Sequence, residues 1–191
     1  MLPASVFWAL RCLLFCRPAE ANDIFPEILK LGSADPYFRQ IQADTAAFHE
    51  AAARRGRLPA LNLYRYTAGP RDDLLGLAAR FGFAPETIPT LNRLETSQIR
   101  IGGRTLLIPN IPAVFVPEDP ASGLERAMAS SRSGRFDDTR RLAFEWEGRL
   151  RRFHYFPGET FNGVERAFFL RIVFHFPLIK RSKKAKLSRM T

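Results

Sequence analysis

The chain is poor in the residues that enzymes most often use as nucleophiles or metal ligands. Its 191 residues include two cysteines, Cys12 and Cys16, and three histidines, His49, His154 and His175. No two histidines have zinc-ligand spacing, and no GxSxG, GxGxxG or P-loop motif is present. These absences argue against zinc, thiol and serine chemistry, so we expect no catalytic residue, no metal site and no cofactor.

The chain has fewer acidic than basic residues, and most of the excess positive charge lies at its carboxyl end. The chain has 29 lysines and arginines against 19 aspartates and glutamates, a formal charge of +10. Seven of the basic residues lie in 171–191, which contains no acid, so the first 170 residues carry only +3. The apolar fraction of 46% is sufficient for a globular core. We interpret the excess charge as a basic tail over 179–191 with a disordered composition.

The first 21 residues have the pattern of an export signal. An apolar stretch over 6–15 is too short to span a bilayer, and Ala19-Glu20-Ala21 forms a small-x-small cleavage site. Cleavage after Ala21 would give an exported protein of the periplasm or cell envelope with no membrane span in the mature chain. Two alternatives stay open. Cys16 allows a lipoprotein anchored at that residue. Arg11 interrupts the apolar stretch and no Lys or Arg precedes it, which leaves a cytosolic chain with a buried amino-terminal helix.

A helical leader is predicted over 22–62. The periodicity predicts a helix over 35–55 whose buried face carries Phe38, Ile41, Thr45 and Phe48. The stretch 56–59 has the composition of a linker.

The next section, 63–110, has a specific order of elements. It contains a strand over 64–68, a helix with Asp72 as its N-cap, a second helix after Pro85 and a strand over 105–109. Gly82 ends the first helix. The two strands must pair across a long separation while both helices cover one face. The sequence therefore predicts an α+β fold with a βααβ module.

Residues 66–109 resemble a LysM domain, the small module that binds glycans containing N-acetylglucosamine. The residues that carry the resemblance are Tyr66, Thr67, Asp72, Leu74, Leu77, Ala78, Phe81, Gly82, Leu91, Asn92, Ile101, Gly103 and Leu106 to Pro109. The chain departs from the family pattern at Arg71 to Asp73 and at Gly102. The resemblance implies peptidoglycan or another N-acetylglucosamine polymer as the partner.

The same resemblance implies where the sugar would lie. The family's groove runs between loops that correspond to 69–74 and 97–102. The carbohydrate-binding residues implied are Asp72, Asp73, Leu74, Ile99, Ile101 and Gly102. From the residues alone, Asp72 is equally well explained as a helix cap and Leu74 as a core residue.

A small α+β region is predicted over 111–178. It has capping-box signatures at Ser122 and Asn162, a β-hairpin turning at residues 147–149 and a last strand over 172–176. Residues 110–177 resemble the segment that lies between a LysM module and the zinc domain in lysostaphin-type metallopeptidases, and the stretch 156–178 carries the resemblance. That family's HxxxD and HxH zinc ligands are absent from this chain.

The sequence thus favours an exported, non-catalytic protein that binds peptidoglycan through a LysM domain. The alternative is a peptidoglycan endopeptidase that is truncated or frameshifted before its zinc domain. A third hypothesis is nucleic-acid binding by the basic tail. We expect no nucleic acid, because the positive charge is confined to the tail.

Overall fold

The computed structural model describes residues 24–137 and 140–171. The predicted signal peptide, the strand predicted over 172–176 and the basic tail lie outside the described residues. The elements, in chain order, are β1 (Glu27–Ile28), α1 (Pro36–Ala53), β2 (Leu63–Thr67), α2 (Leu74–Phe81), α3 (Thr87–Leu91), β3 (Thr105–Pro109), β4 (Ala113–Pro117), α4 (Gly123–Arg132), a 3-10 turn (Ser133–Arg135), β5 (Arg140–Trp146), β6 (Arg149–Pro157) and α5 (Gly163–Leu170).

The fold is α+β, as predicted, with two three-stranded sheets. The first sheet has the order β1-β2-β3, in which β1 is parallel and β3 antiparallel to β2. The second has the order β4-β6-β5 and is antiparallel throughout. Helices α2 and α3 lie between β2 and β3 in the chain, so these two strands pair across the segment that contains both helices.

Short-range sequence signals place three of the helices. Asp35 accepts hydrogen bonds from the amides of Tyr37 and Phe38 and so begins α1, whose four predicted inward residues are all buried. The predicted capping boxes at Ser122 and Asn162 are both present, and they begin α4 and α5.

The N-cap of α2 differs from the prediction by one position. Asp73, not Asp72, has the extended backbone of a cap, and its carboxylate accepts a hydrogen bond from the Gly76 amide at 2.8 Å. The Asp72 carboxylate instead accepts from the Tyr66 hydroxyl and the Gly69 amide. At the other end of the helix, Gly82 takes the left-handed conformation with φ 72°, as predicted.

The second sheet contains one predicted feature and one that was missed. The hairpin of β5 and β6 is confirmed, and its turn at Glu147 and Gly148 has positive φ at both positions, as a two-residue hairpin turn requires. Strand β4 was not predicted. All five of its residues are buried, so it lacks the alternation of a half-exposed strand, and prolines surround it.

Helix α3 connects the two sheets through buried hydroxyl groups. The Oγ1 atoms of Thr87 and Thr90 accept hydrogen bonds from the amides of Ala113 and Phe115 on β4, at 3.3 and 3.2 Å. These contacts satisfy amides on the side of β4 that faces away from β6. Each of the two hydrophobic clusters contains residues from before and from after position 110. The proposed boundaries of the domains at 62, 110 and 178 stay predictions.

Candidate functional site

A groove lies between the loop that precedes α2 and the loop that precedes β3. It has a volume of about 730 Å³. The residues that line it are Ala68, Pro70, Arg71, Asp72, Asp73, Ser97, Gln98, Ile99, Arg100, Ile101, Gly102 and Gly103. The structure therefore brings together five of the six residues implied by the resemblance. The sixth, Leu74, does not line the groove.

Leu74 is a core residue. Its side chain is completely buried and belongs to the hydrophobic cluster formed with α1 and the first sheet. It is the first residue of α2, and the helix directs it inward while Asp73 remains at the groove. Ile101 lies at the base of the groove with its side chain completely buried, whereas Ile99 is only partly buried and offers apolar surface.

The loop 69–72 is held in place by the Asp72 carboxylate. Asp72 Oδ2 accepts from the Tyr66 hydroxyl at 2.6 Å and from the Gly69 amide at 2.7 Å. Burial of Tyr66 and its hydrogen bond to Asp72 raise the pKa of the Tyr66 phenol to about 12. These two hydrogen bonds fix the position of the Asp72 carboxylate relative to strand β2 and the loop 69–72.

The two loops approach each other closely at Gly102. A Cβ atom at this position would lie 3.2 Å from the Cα of Pro70 and 3.3 Å from the carbonyl oxygen of Gly69. The Gly103 amide donates to the carbonyl of Ala68 at 2.8 Å, and Gly103 has φ 78°. Glycine at both positions lets the loops meet and turn into β3.

The charged side chains around the groove differ in whether other residues of the chain already bond them. Asp72 bonds Tyr66 and Gly69, and Asp73 caps α2. Arg71 and Arg100 are exposed, one on each loop, and neither forms an ion pair with any residue in the described ranges. The groove thus combines an apolar floor, backbone polar groups and two cationic side chains at its edges. The sequence reasoning did not include Arg71 or Arg100 among the site residues.

No protein-family model, no curated protein and no solved structure matches this chain. The resemblance of residues 66–109 to LysM therefore stays an inference from the residues quoted above.

The histidines and carboxylates do not gather into a metal site in the part of the chain that the structure describes. No group of three or more His, Cys, Asp and Glu side chains has the geometry to hold a metal ion there. His154 Nε2 instead lies 3.7 Å from Glu118 Oε1, and its ring packs against that of Phe136 at a tilt of 44°. Over the same residues, no helix combines the length and the apolar character needed to cross a bilayer.

Proposed function

We propose that this protein binds an N-acetylglucosamine-containing glycan, peptidoglycan in the first place, in the groove between loops 69–73 and 97–103. It would act in the cell envelope after export, without catalysing a reaction. The observation that carries the proposal is that five of the six residues implied by the resemblance line one groove of about 730 Å³.

The chemistry of the groove suits a largely neutral sugar. An acetylated sugar presents hydroxyls, an amide and a methyl group, which match an apolar floor edged by backbone donors and acceptors. Ile99 is partly buried and supplies apolar surface, and the loop residues that line the groove, among them Gly102 and Gly103, supply backbone polar groups. Asp72 and Asp73 are already bonded within the chain, so they serve to shape the loop rather than to repel the ligand.

A groove of this kind binds a single sugar chain weakly. Retention on a cell wall would come from the dense repetition of sites along the polymer, which raises the effective concentration of the next site.

Co-sedimentation with purified peptidoglycan sacculi tests the proposal. The protein should pellet with sacculi at both low and high salt, because the contacts are mainly uncharged. Ile99→Asn removes part of the apolar floor and should weaken binding by about tenfold. Leu150→Asn is the matched control, since Leu150 is 58% exposed on the hairpin and does not line the groove.

Two results would contradict glycan binding in the groove. One is pelleting that high salt abolishes, which would indicate attraction of the basic protein to anionic polymers. The other is an equal loss in the Ile99 and Leu150 variants. Release of soluble muropeptides during the incubation would instead support the endopeptidase alternative. Substitution of Leu74 or Ile101 by a charged residue is unsuitable, because both side chains are fully buried.

A further inference from the structure

A second recessed surface, which shares no lining residue with the groove, lies between the 57–61 linker and the β5–β6 hairpin. One cavity, of about 390 Å³, is lined by Arg57, Leu58, Pro59, Ala60, Leu61, Arg140, Arg141, Leu142 and Tyr155. An adjoining cavity of about 300 Å³ shares Leu58, Arg140 and Tyr155 with it. The first volume falls within the range of about 300–1,000 Å³ that is usual for small-molecule sites.

The first cavity contains three arginines and no acidic residue. Arg57, Arg140 and Arg141 are exposed, and none of them forms an ion pair or a side-chain hydrogen bond with another described residue. Glu159 is the one acid that lines the adjoining cavity, and its carboxylate bonds Arg132 and Arg135. The cavity is therefore positively charged, with three guanidinium groups available to an anion.

The Tyr155 hydroxyl is an available donor in the same cavity. Tyr155 lines both cavities, and its ring stacks against Phe115 with 5.9 Å between the centroids. Its hydroxyl forms no hydrogen bond with any residue in the described part of the chain. Arg140 lies directly opposite Tyr155 in the β5–β6 register, so both side chains are on the same face of the hairpin.

The remaining wall is apolar. Leu58, Leu61 and Leu142 are partly buried and pack against the core beneath the second sheet. The cavity therefore offers an anion-binding side next to a hydrophobic side. Guanidinium groups match the geometry of phosphate oxygens through paired N–H donors.

We propose that this cavity binds a small organic phosphate. The phosphate group would contact Arg57, Arg140 and Arg141 and accept a hydrogen bond from the Tyr155 hydroxyl. The apolar or aromatic part of the ligand would lie against Leu58 and Leu142. This site is separate from the glycan groove, and its occupation does not depend on the function proposed for that groove.

Titration of the whole protein with phenyl phosphate, followed by ligand-observed NMR, tests the site. Saturable binding is expected, and inorganic phosphate should bind several-fold more weakly because it lacks the apolar part. The double variant Arg140→Gln, Arg141→Gln should bind phenyl phosphate about tenfold more weakly or worse. Tyr155→Phe, which keeps every charge, should lose about fivefold.

The matched control is the double variant Arg149→Gln, Arg152→Gln. It removes the same two charges from exposed positions of the same hairpin that line neither cavity. Its affinity should stay within about twofold of the original protein. Near-UV circular dichroism shows whether each variant is folded.

Three results would overturn the proposal. They are absence of saturable binding by the original protein, equal losses in the two arginine pairs, and equal affinity for inorganic and phenyl phosphate. The second would show general attraction to a basic surface, and the third would leave the apolar wall without a role. Unchanged binding by Tyr155→Phe would overturn the assignment of its hydroxyl.

Discussion

Asp72 determines the shape of one wall of the groove between loops 69–73 and 97–103. Its carboxylate accepts two short hydrogen bonds, from the Tyr66 hydroxyl and the Gly69 amide, and so connects strand β2 to the loop that precedes α2. Tyr66 is 8% exposed, which means that its hydroxyl has little access to water as a substitute partner. The groove depends on this pair even if no ligand contacts Asp72 directly.

We predict that Tyr66→Phe lowers the free energy of unfolding by about 1 kcal/mol at neutral pH, because the carboxylate loses one donor. The effect also depends on pH. The folded pKa of Tyr66 is about 12, above its ordinary value of 10.0. The stabilisation by the Tyr66–Asp72 hydrogen bond is therefore complete below pH 10 and is lost as the pH rises through 12. Urea unfolding from neutral to alkaline pH measures both effects.

Tyr37→Phe is the control for that substitution. Tyr37 is 41% exposed, and its hydroxyl has no hydrogen bond within the described residues. Its removal should leave both the stability and the alkaline transition nearly unchanged. An alkaline transition that is identical in the original protein and in Tyr66→Phe would contradict the role given to the Tyr66–Asp72 bond.

The sequence indicated the positions of the groove residues better than their individual roles. Asp72 and Asp73 are adjacent carboxylates and either can cap a helix, so only the three-dimensional position of Tyr66 separates their functions. Leu74 and Ile101 follow the family pattern, but burial depends on packing that the pattern does not specify. Arg71 and Arg100 were missed because exposed arginines give no periodic signal.

At the scale of elements, α3 has a role beyond covering the first sheet. It is only five residues long, and all five are buried. Thr90 accepts from the Phe115 amide at 3.2 Å and donates to the carbonyl of Glu86 at 2.8 Å. The Thr90 hydroxyl thereby connects α3 to β4, a strand of the second sheet.

We predict that Thr90→Val destabilises the protein by about 1–3 kcal/mol, since a buried amide on β4 loses its acceptor while the side-chain volume is kept. Thr67→Val is the control, because Thr67 is exposed on β2 and bonds only the Thr105 hydroxyl. Its effect should be within about 0.5 kcal/mol. Equal unfolding free energies for the two variants in urea would show that the α3–β4 hydrogen bonds contribute little.

The elements that the sequence predicted are those with local signals. Capping boxes at Ser122 and Asn162 involve residues three positions apart, and the hairpin turn is marked by Gly148. Strands β1 and β4 were missed for different reasons. The two residues of β1 are too few to form a pattern, and β4 is defined by its pairing with β6, whose residues lie about forty positions later in the chain.

At the scale of the whole molecule, residues 63–110 are joined to the rest by buried polar contacts as well as by hydrophobic packing. Arg93 forms a paired contact with Glu125, at 2.7 and 2.9 Å, and a further one with Asp119. Burial opposes ionisation of Glu125, but hydrogen bonds from Arg93 and two amides outweigh it and hold the pKa of Glu125 below its ordinary value. The Glu86 carboxylate accepts from the Phe161 amide.

We therefore predict that the excised fragment 63–110 has no cooperative thermal transition, whereas the fragment 24–171 unfolds cooperatively. Excision exposes Leu91 and Leu107 and leaves Glu86 and Arg93 without their partners. Far-UV circular dichroism on heating makes the comparison. A transition for 63–110 within a few degrees of that for 24–171 would show that this section is an autonomous domain.

The strand pairing has a consequence for the rate of folding. Leu63 pairs with Pro109 and Ala113 pairs with Pro157, so each sheet is completed by strands whose paired residues are about forty positions apart. The entropy of closing such long loops must be lost before the paired strands stabilise one another. Because both sheets have this requirement, we expect the slow step of folding to be the meeting of distant strands, after the capped helices have formed.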